Sequence, residues 1–189
     1  NASERTKCIY VGSLAGLLPS GPGHSHQMVH DISILGGIPG LILLEPSCEE
    51  EVRMILKYAV EDSIQSTYIR LVSIPYEVPY ILPIDYTLEK GKGVALTKGK
   101  DAIVFAYGMV MLSELYKASK ILQDKYEFGL KVVNLPWLNY IDKDWLADEI
   151  GVIKNIFTVD NHLIKGGQGQ YMSNSIIDSN LNTCNIKIV

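Results

Sequence analysis

No run of lysine or arginine occurs in the 189-residue sequence, whose 17 basic residues stand against 21 acidic ones for a net charge of -4. The electrostatic footprint of a phosphate-backbone binder is missing, and nucleic acid is not an expected partner. No apolar stretch approaches the roughly 20 residues of a membrane helix, so no membrane association is expected. Cysteine is scarce: Cys8, Cys48 and Cys184 stand far apart with no C-x-x-C pair. That pattern favours reduced thiols in a cytoplasmic setting over a disulfide framework, and it gives no support to metal binding through sulfur. The start NASERTK has neither an initiator Met nor a signal-peptide core, so the chain is expected to begin inside a longer protein. No G-x-G-x-x-G follows the first strand-like segment, which counts against a dinucleotide-binding domain.

What is present is ordinary for a globular protein: 47% apolar and 20% charged residues, enough to bury a core without disulfides or metals. Residues 8–12, CIYVG, form a short β-prone run, and the Gly- and Pro-rich stretch after it reads as a long loop. Loops of that length in compact domains are usually functional. Ser25 is placed to cap a helix over 26–35, because Met28, Ile32 and Leu35 recur at helical spacing and Gly36 with Gly37 stop it. His26 then falls in the first helical turn. A continuous apolar strand, 41–45, leads into a helix with an acidic start, 49–61, and then into a strand, 66–72. Connections this long exclude hairpins, so the strands are expected to be parallel.

Three prolines between 73 and 89 bias the chain toward an extended linker, which places a domain boundary near residue 85. Beyond it strands at 101–108, 130–135 and 155–160 alternate with helices at 111–124, 143–150 and 168–179, and NIKIV ends the chain as a further strand. The expected fold class is α/β, with two open, mostly parallel three-layer sheets and a division into residues 1–85 and 86–189.

The segments AGLLPSGPGHSHQMVHD, IPG, LILLEPSCEEE and YIRL resemble, in order and spacing, the pyrimidine-binding domain of transketolases, deoxyxylulose-phosphate synthases and related thiamine-diphosphate enzymes. GKGVALTKGKDAIVFAYGMV, KVVNLPWLNYIDKDWL and TVDNHLIKGGQGQ likewise resemble the carboxy-terminal domain of that family. The resemblance implies a fragment of a thiamine-diphosphate enzyme that moves two-carbon or acyl units between carbonyl substrates, sugar phosphates or 2-oxo acids. It also implies a homodimer, with the cofactor between one subunit's diphosphate-binding domain and the partner's pyrimidine-binding domain. The glycine-aspartate-glycine motif that holds diphosphate and Mg2+, and the glutamate that activates the aminopyrimidine, match nothing here. Thiamine diphosphate and Mg2+ are therefore expected for the intact parent and not for this chain alone, which should be inactive by itself.

The family histidine that faces the substrate falls on His26 if GPGHSHQ carries one inserted residue, or on His24 if the insertion follows it. Arg70 matches an arginine that holds the substrate phosphate in members acting on phosphorylated sugars. Its alternative is a surface ion pair with a glutamate of the preceding helix. Two departures put sugar-phosphate specificity in question: Ser20 replaces an acidic residue, and Ser13 with Leu14 replaces a histidine. His24, His26 and His30 form a possible metal cluster by spacing. The amides of the GGQGQ turn are either an anion site or tight strand-to-helix packing. His162 is expected to make a structural hydrogen bond, and Met109, Met111, Tyr116 and Tyr126 to pack as core. The rival reading is a stand-alone binding or assembly module without catalysis.

Overall fold

The structure, a computed structural model, describes residues 6–18, 21, 23, 25–72, 74–179 and 185–189. Its first sheet holds β1 (Ile9–Gly12), β2 (Leu41–Leu44) and β3 (Ser66–Arg70), all parallel, in the order β1-β3-β2. Side chains alternate along β2. Leu41 and Leu43 pack with Tyr68 and with Ile32 of α1 (Asp31–Leu35), whereas Ile42 and Leu44 pack with Ile69 and with Ile55 of α2 (Glu49–Lys57). A helix on each face makes three layers. The helix expected over 49–61 is one continuous coil, but its last turn, Tyr58–Asp62, is π-helical.

The helix expected over 26–35 is shorter, beginning only at Asp31. Met28 pairs with Ala15 in an isolated β-bridge and its carbonyl accepts from Gly16 N at 2.8 Å, so this backbone is committed to a loop contact before a helix can start. His26 accordingly sits in a turn, and Ser25 bonds the His26 ring instead of capping a helix.

The second sheet has five strands in the order β4-β6-β5-β7-β8, where β4 is Val94–Ala95, β5 Ala102–Ala106, β6 Leu130–Asn134, β7 Asn155–Val159 and β8 Asn185–Ile188. Every pairing is parallel except that of β4 with β6. Ala102, Val104 and Ala106 face α3 (Met109–Tyr126), and Ile103 with Phe105 face α4 (Lys143–Ile150) and α5 (Gln168–Asp178). Met111 and Tyr116 join the α3 face of this core, but Tyr126 is exposed.

The two sheets are not separate bodies. One apolar cluster runs from Ile42, Leu44 and Ile69 of the first to Val133, Leu135 and Trp137 of the second. Residues 136–139 also close the outer edge of β2: Glu45 N donates to Pro136 O at 3.0 Å, Leu138 N to Leu43 O at 2.9 Å, and the Asn139 side chain bonds Leu43 N and Leu41 O. The prolines of the linker do keep it irregular, yet Tyr80 is buried on the second sheet and its hydroxyl donates to Ser47 O at 3.0 Å. The opposite edge of the first sheet, β1, stays open among the described residues.

Candidate functional site

The carboxyl ends of parallel strands are where such sheets gather polar groups, and here the ends of β2, β3 and β7 converge on one buried knot. Arg70, the last residue of β3, has no exposed surface. Its Nε donates to Asp31 Oδ2 at 2.8 Å, its Nη1 pairs with Glu45, and its Nη2 donates to Asn161 O at 2.6 Å and to Met28 O at 3.4 Å. The Tyr68 hydroxyl donates to the same Asp31 oxygen at 3.0 Å. The guanidinium is thus spent on protein groups, and neither carboxylate partner belongs to the preceding helix α2. Those partners, Asp31 and Glu45, were not legible as such, since they lie 39 and 25 residues away in sequence.

Electrostatics in the knot follow from burial. Desolvation raises the Glu45 pKa against the pull of Arg70, and desolvation also raises those of Asp160 and of the Tyr107 phenol. For Arg70 burial alone would lower the pKa, but Glu45, Tyr107 and Asp31 together outweigh it and keep the guanidinium charged. Gly108, at φ +74°, starts α3 against Glu45: a Cβ there would stand 2.1 Å from Glu45 Oε1. Only glycine tolerates both that backbone and that contact.

His26 lies outside the knot, exposed on the loop over it, with Ser25 Oγ 2.9 Å from its Nδ1. His24 and Ser20 lie outside the described residues. The structure therefore brings Arg70 under the loop that carries His26 and does not bring their side chains together. Among the described residues no group of three or more His, Cys, Asp or Glu side chains is arranged to hold a metal ion; the cluster of His24, His26 and His30 includes His24 and so lies outside them. The GGQGQ turn already has its anion. Asp160 accepts from Gln168 N at 3.1 Å and from Gly169 N at 3.0 Å, capping α5 with a carboxylate of the same chain. His162 is structural in its bonding, with Nδ1 2.6 Å from Leu163 O and Nε2 accepting from Ser33 N at 3.4 Å. Sequence reasoning singled out His162 in DNH but missed its neighbours, Asp160 and Asn161.

A family model, that of the transketolase C-terminal domain, matches residues 91–188, slightly more than half of the chain. The chain belongs to the transketolase C-terminal domain family. The span matched holds Asp160, Asn161 and His162, whereas His26 and Arg70 precede it. Similarity extends further upstream in individual relatives. The chain is 29% identical over 170 residues to 1-deoxy-D-xylulose-5-phosphate synthase of Halothermothrix orenii, an alignment covering 87% of this chain and 26% of that one. It is 27% identical over 172 residues to a Methanocaldococcus jannaschii protein described as a transketolase C-terminal section, covering 91% and 52%. Among solved structures it superposes on a split-gene transketolase described as an inactive beta4 tetramer, with a TM-score of 0.77, 25% identity, and coverage of 97% of this chain and 55% of that one. The transketolase fold thus covers both sheets. The chain spans between about a quarter and about half the length of these relatives.

Proposed function

We propose that this chain is one wall of a thiamine-diphosphate enzyme that transfers two-carbon or acyl units, completed by a diphosphate-binding domain or subunit and working as a dimer. Residues 1–85 contribute part of a pyrimidine-binding domain and residues 86–189 the carboxy-terminal domain. When bound, thiamine diphosphate supplies the carbanion chemistry. The knot's carboxylates are engaged with Arg70, Tyr68 and the α5 amides, so the described residues do not fit Mg2+ and diphosphate; those ligands come from the partner. What this chain offers is a loop with an exposed imidazole, and His26 is the group we assign to substrate contact or proton transfer, with His24 as its neighbour. Arg70 acts from beneath that loop. A cytoplasmic setting accords with this reading, and no helix among the described residues is long and apolar enough to cross a membrane.

The observation that carries the need for a partner is that no strand among the described residues pairs with the outer edge of β1. Cys8 O and Gly12 O accept from Thr67 N and Leu71 N of the β3 side, so by alternation the peptide groups of Ile9 and Val11 point away from the sheet. Val11 is 55% exposed, and on the other face of the strand a trough of about 1020 Å³ is lined by Tyr10, Ile38, Leu41 and Tyr68. Parallel sheets are normally covered on both faces. The split-gene relative, with its inactive beta4 assembly, supports the same reading of a half that is not catalytic alone.

The test is reconstitution. The chain is co-expressed with a transketolase diphosphate-binding subunit and assayed for transfer from a sugar phosphate or a 2-oxo acid. Thiamine-diphosphate-dependent turnover that falls about 100-fold or more in His26→Ala supports the assignment. Turnover unchanged in both His24→Ala and His26→Ala removes the histidine role, and an assembled complex without turnover leaves an assembly module.

A further inference from the structure

The DNH segment that follows β7 grips the loop segments 14–18 and 25–30 at several points. Asn161 is buried, and its side-chain Oδ1 accepts from Leu17 N at 2.9 Å. Leu17 O in turn accepts from the Gln27 side chain at 2.6 Å, which ties the grip to the residue beside His26. A second route starts from the Asn161 backbone: its carbonyl accepts from Arg70 Nη2, the same nitrogen that reaches Met28 O. Met28 O also accepts from Gly16 N, and next along the chain Leu163 N donates to Val29 O at 3.1 Å. Gly16 lies against the Asn161 amide so closely that a Cβ on it would stand 2.2 Å from Nδ2, and its φ is +78°. Both strands of the loop, 15–17 and 26–29, are therefore tied to Asn161, alongside the bonds of Leu163 N to Val29 O and of Ala15 N to Leu71 O.

We infer that Asn161 is a positioning residue, latching the His26 loop to the carboxy-terminal sheet through its side chain and, by way of Arg70, through its backbone carbonyl. The fold has an internal comparison. Asn139 also joins the two sheets through two side-chain bonds, to Leu43 N and Leu41 O, but it does so at β2, away from this loop. Loss of Asn161 releases the loop; loss of Asn139 loosens only the β2 edge. The inference rests on the assignment of His26 above only for what the loop is for.

The experiment is amide hydrogen exchange with proton NMR of the histidine ring signals on the intact chain. It compares wild type with Asn161→Ala, Gly16→Ala and Asn139→Ala. In Asn161→Ala the amides of Leu17 and of residues 26–29 should exchange about tenfold faster, corresponding to one lost hydrogen bond. The amides of β3 and β5 should stay at the wild-type rate, and the His26 ring signal should move or broaden. Gly16→Ala, which attacks the same contact from the loop side, should reproduce the pattern and decides the matter should Asn161→Ala not fold. Asn139→Ala should leave the His26 signal in place. Uniform acceleration of all amides, or a His26 signal that responds equally to Asn139→Ala, overturns the latch. Neither readout needs cofactor or partner, so such a result leaves the assignment of His26 standing, while an inactive reconstituted enzyme with an intact latch does the reverse.

Discussion

At the scale of single residues the chain separates two roles that the sequence ran together. Arg70 and His26 both read as substrate ligands, but one is sealed in an ion cluster and the other is exposed over it. Removing one partner from a buried ion cluster leaves charges without compensation. Arg70→Ala is therefore expected to lose about 3–5 kcal/mol of stability in urea unfolding, whereas His26→Ala should stay within about 0.5 kcal/mol of wild type. A stable Arg70→Ala protein would return Arg70 to a ligand role. The raised pKa of Glu45 makes a second prediction. A carboxyl whose folded pKa lies above its unfolded value, near 4.5, holds its proton more tightly when folded. Its contribution is fully present below pH 4.5 and is lost as pH rises through the folded value. Glu45→Gln keeps an oxygen for Arg70 but cannot titrate. Its unfolding free energy relative to wild type should climb from pH 4.5 upward, and a difference independent of pH would contradict the shift. Arg70 could be singled out from YIRL, but its partners could not, because Asp31, Glu45 and Asn161 lie 39, 25 and 91 residues away and meet it only through the fold.

Elements carry the next set of consequences. Strand periodicity was legible because burial in a parallel sheet leaves little freedom: LILL of β2 is buried throughout, as is AIVFA of β5. The start of α1 was not, since the apolar spacing of Met28, Ile32 and Leu35 suits a helix while a bridge to Ala15 claims Met28 first. The anion reading of the GGQGQ turn failed for a related reason. Helix starts do attract negative charge, and this one is satisfied from within. Asp160→Ala takes an acceptor from two amides of α5, and a loss of about 1–2 kcal/mol is expected in thermal or urea unfolding. No loss would mean that water replaces Asp160 freely. At the other end of the fold β1 offers a contrasting test. Val11→Lys puts a charge on an open edge without emptying a core position, so the chain's own stability should change by less than about 0.5 kcal/mol. Association with a diphosphate-binding subunit, measured by sedimentation, should weaken. Intact association would locate the partner elsewhere.

For the whole molecule, the family and the two-sheet α/β architecture were legible because seven short motifs occur in one order, each too weak alone. Less legible was how tightly the halves are joined: Trp137, Leu138 and Asn139 close the edge of β2, while Asn161 and Leu163 bind the first sheet's loop. A sequence division near residue 85 marks the linker without showing this shared core. The central claim is that the chain supplies one wall of a thiamine-diphosphate site and needs a partner for the rest. Isothermal titration of thiamine diphosphate with Mg2+ into the chain alone tests it most directly. The account predicts no saturable heat into the millimolar range, whereas a one-to-one complex with a micromolar Kd would contradict it.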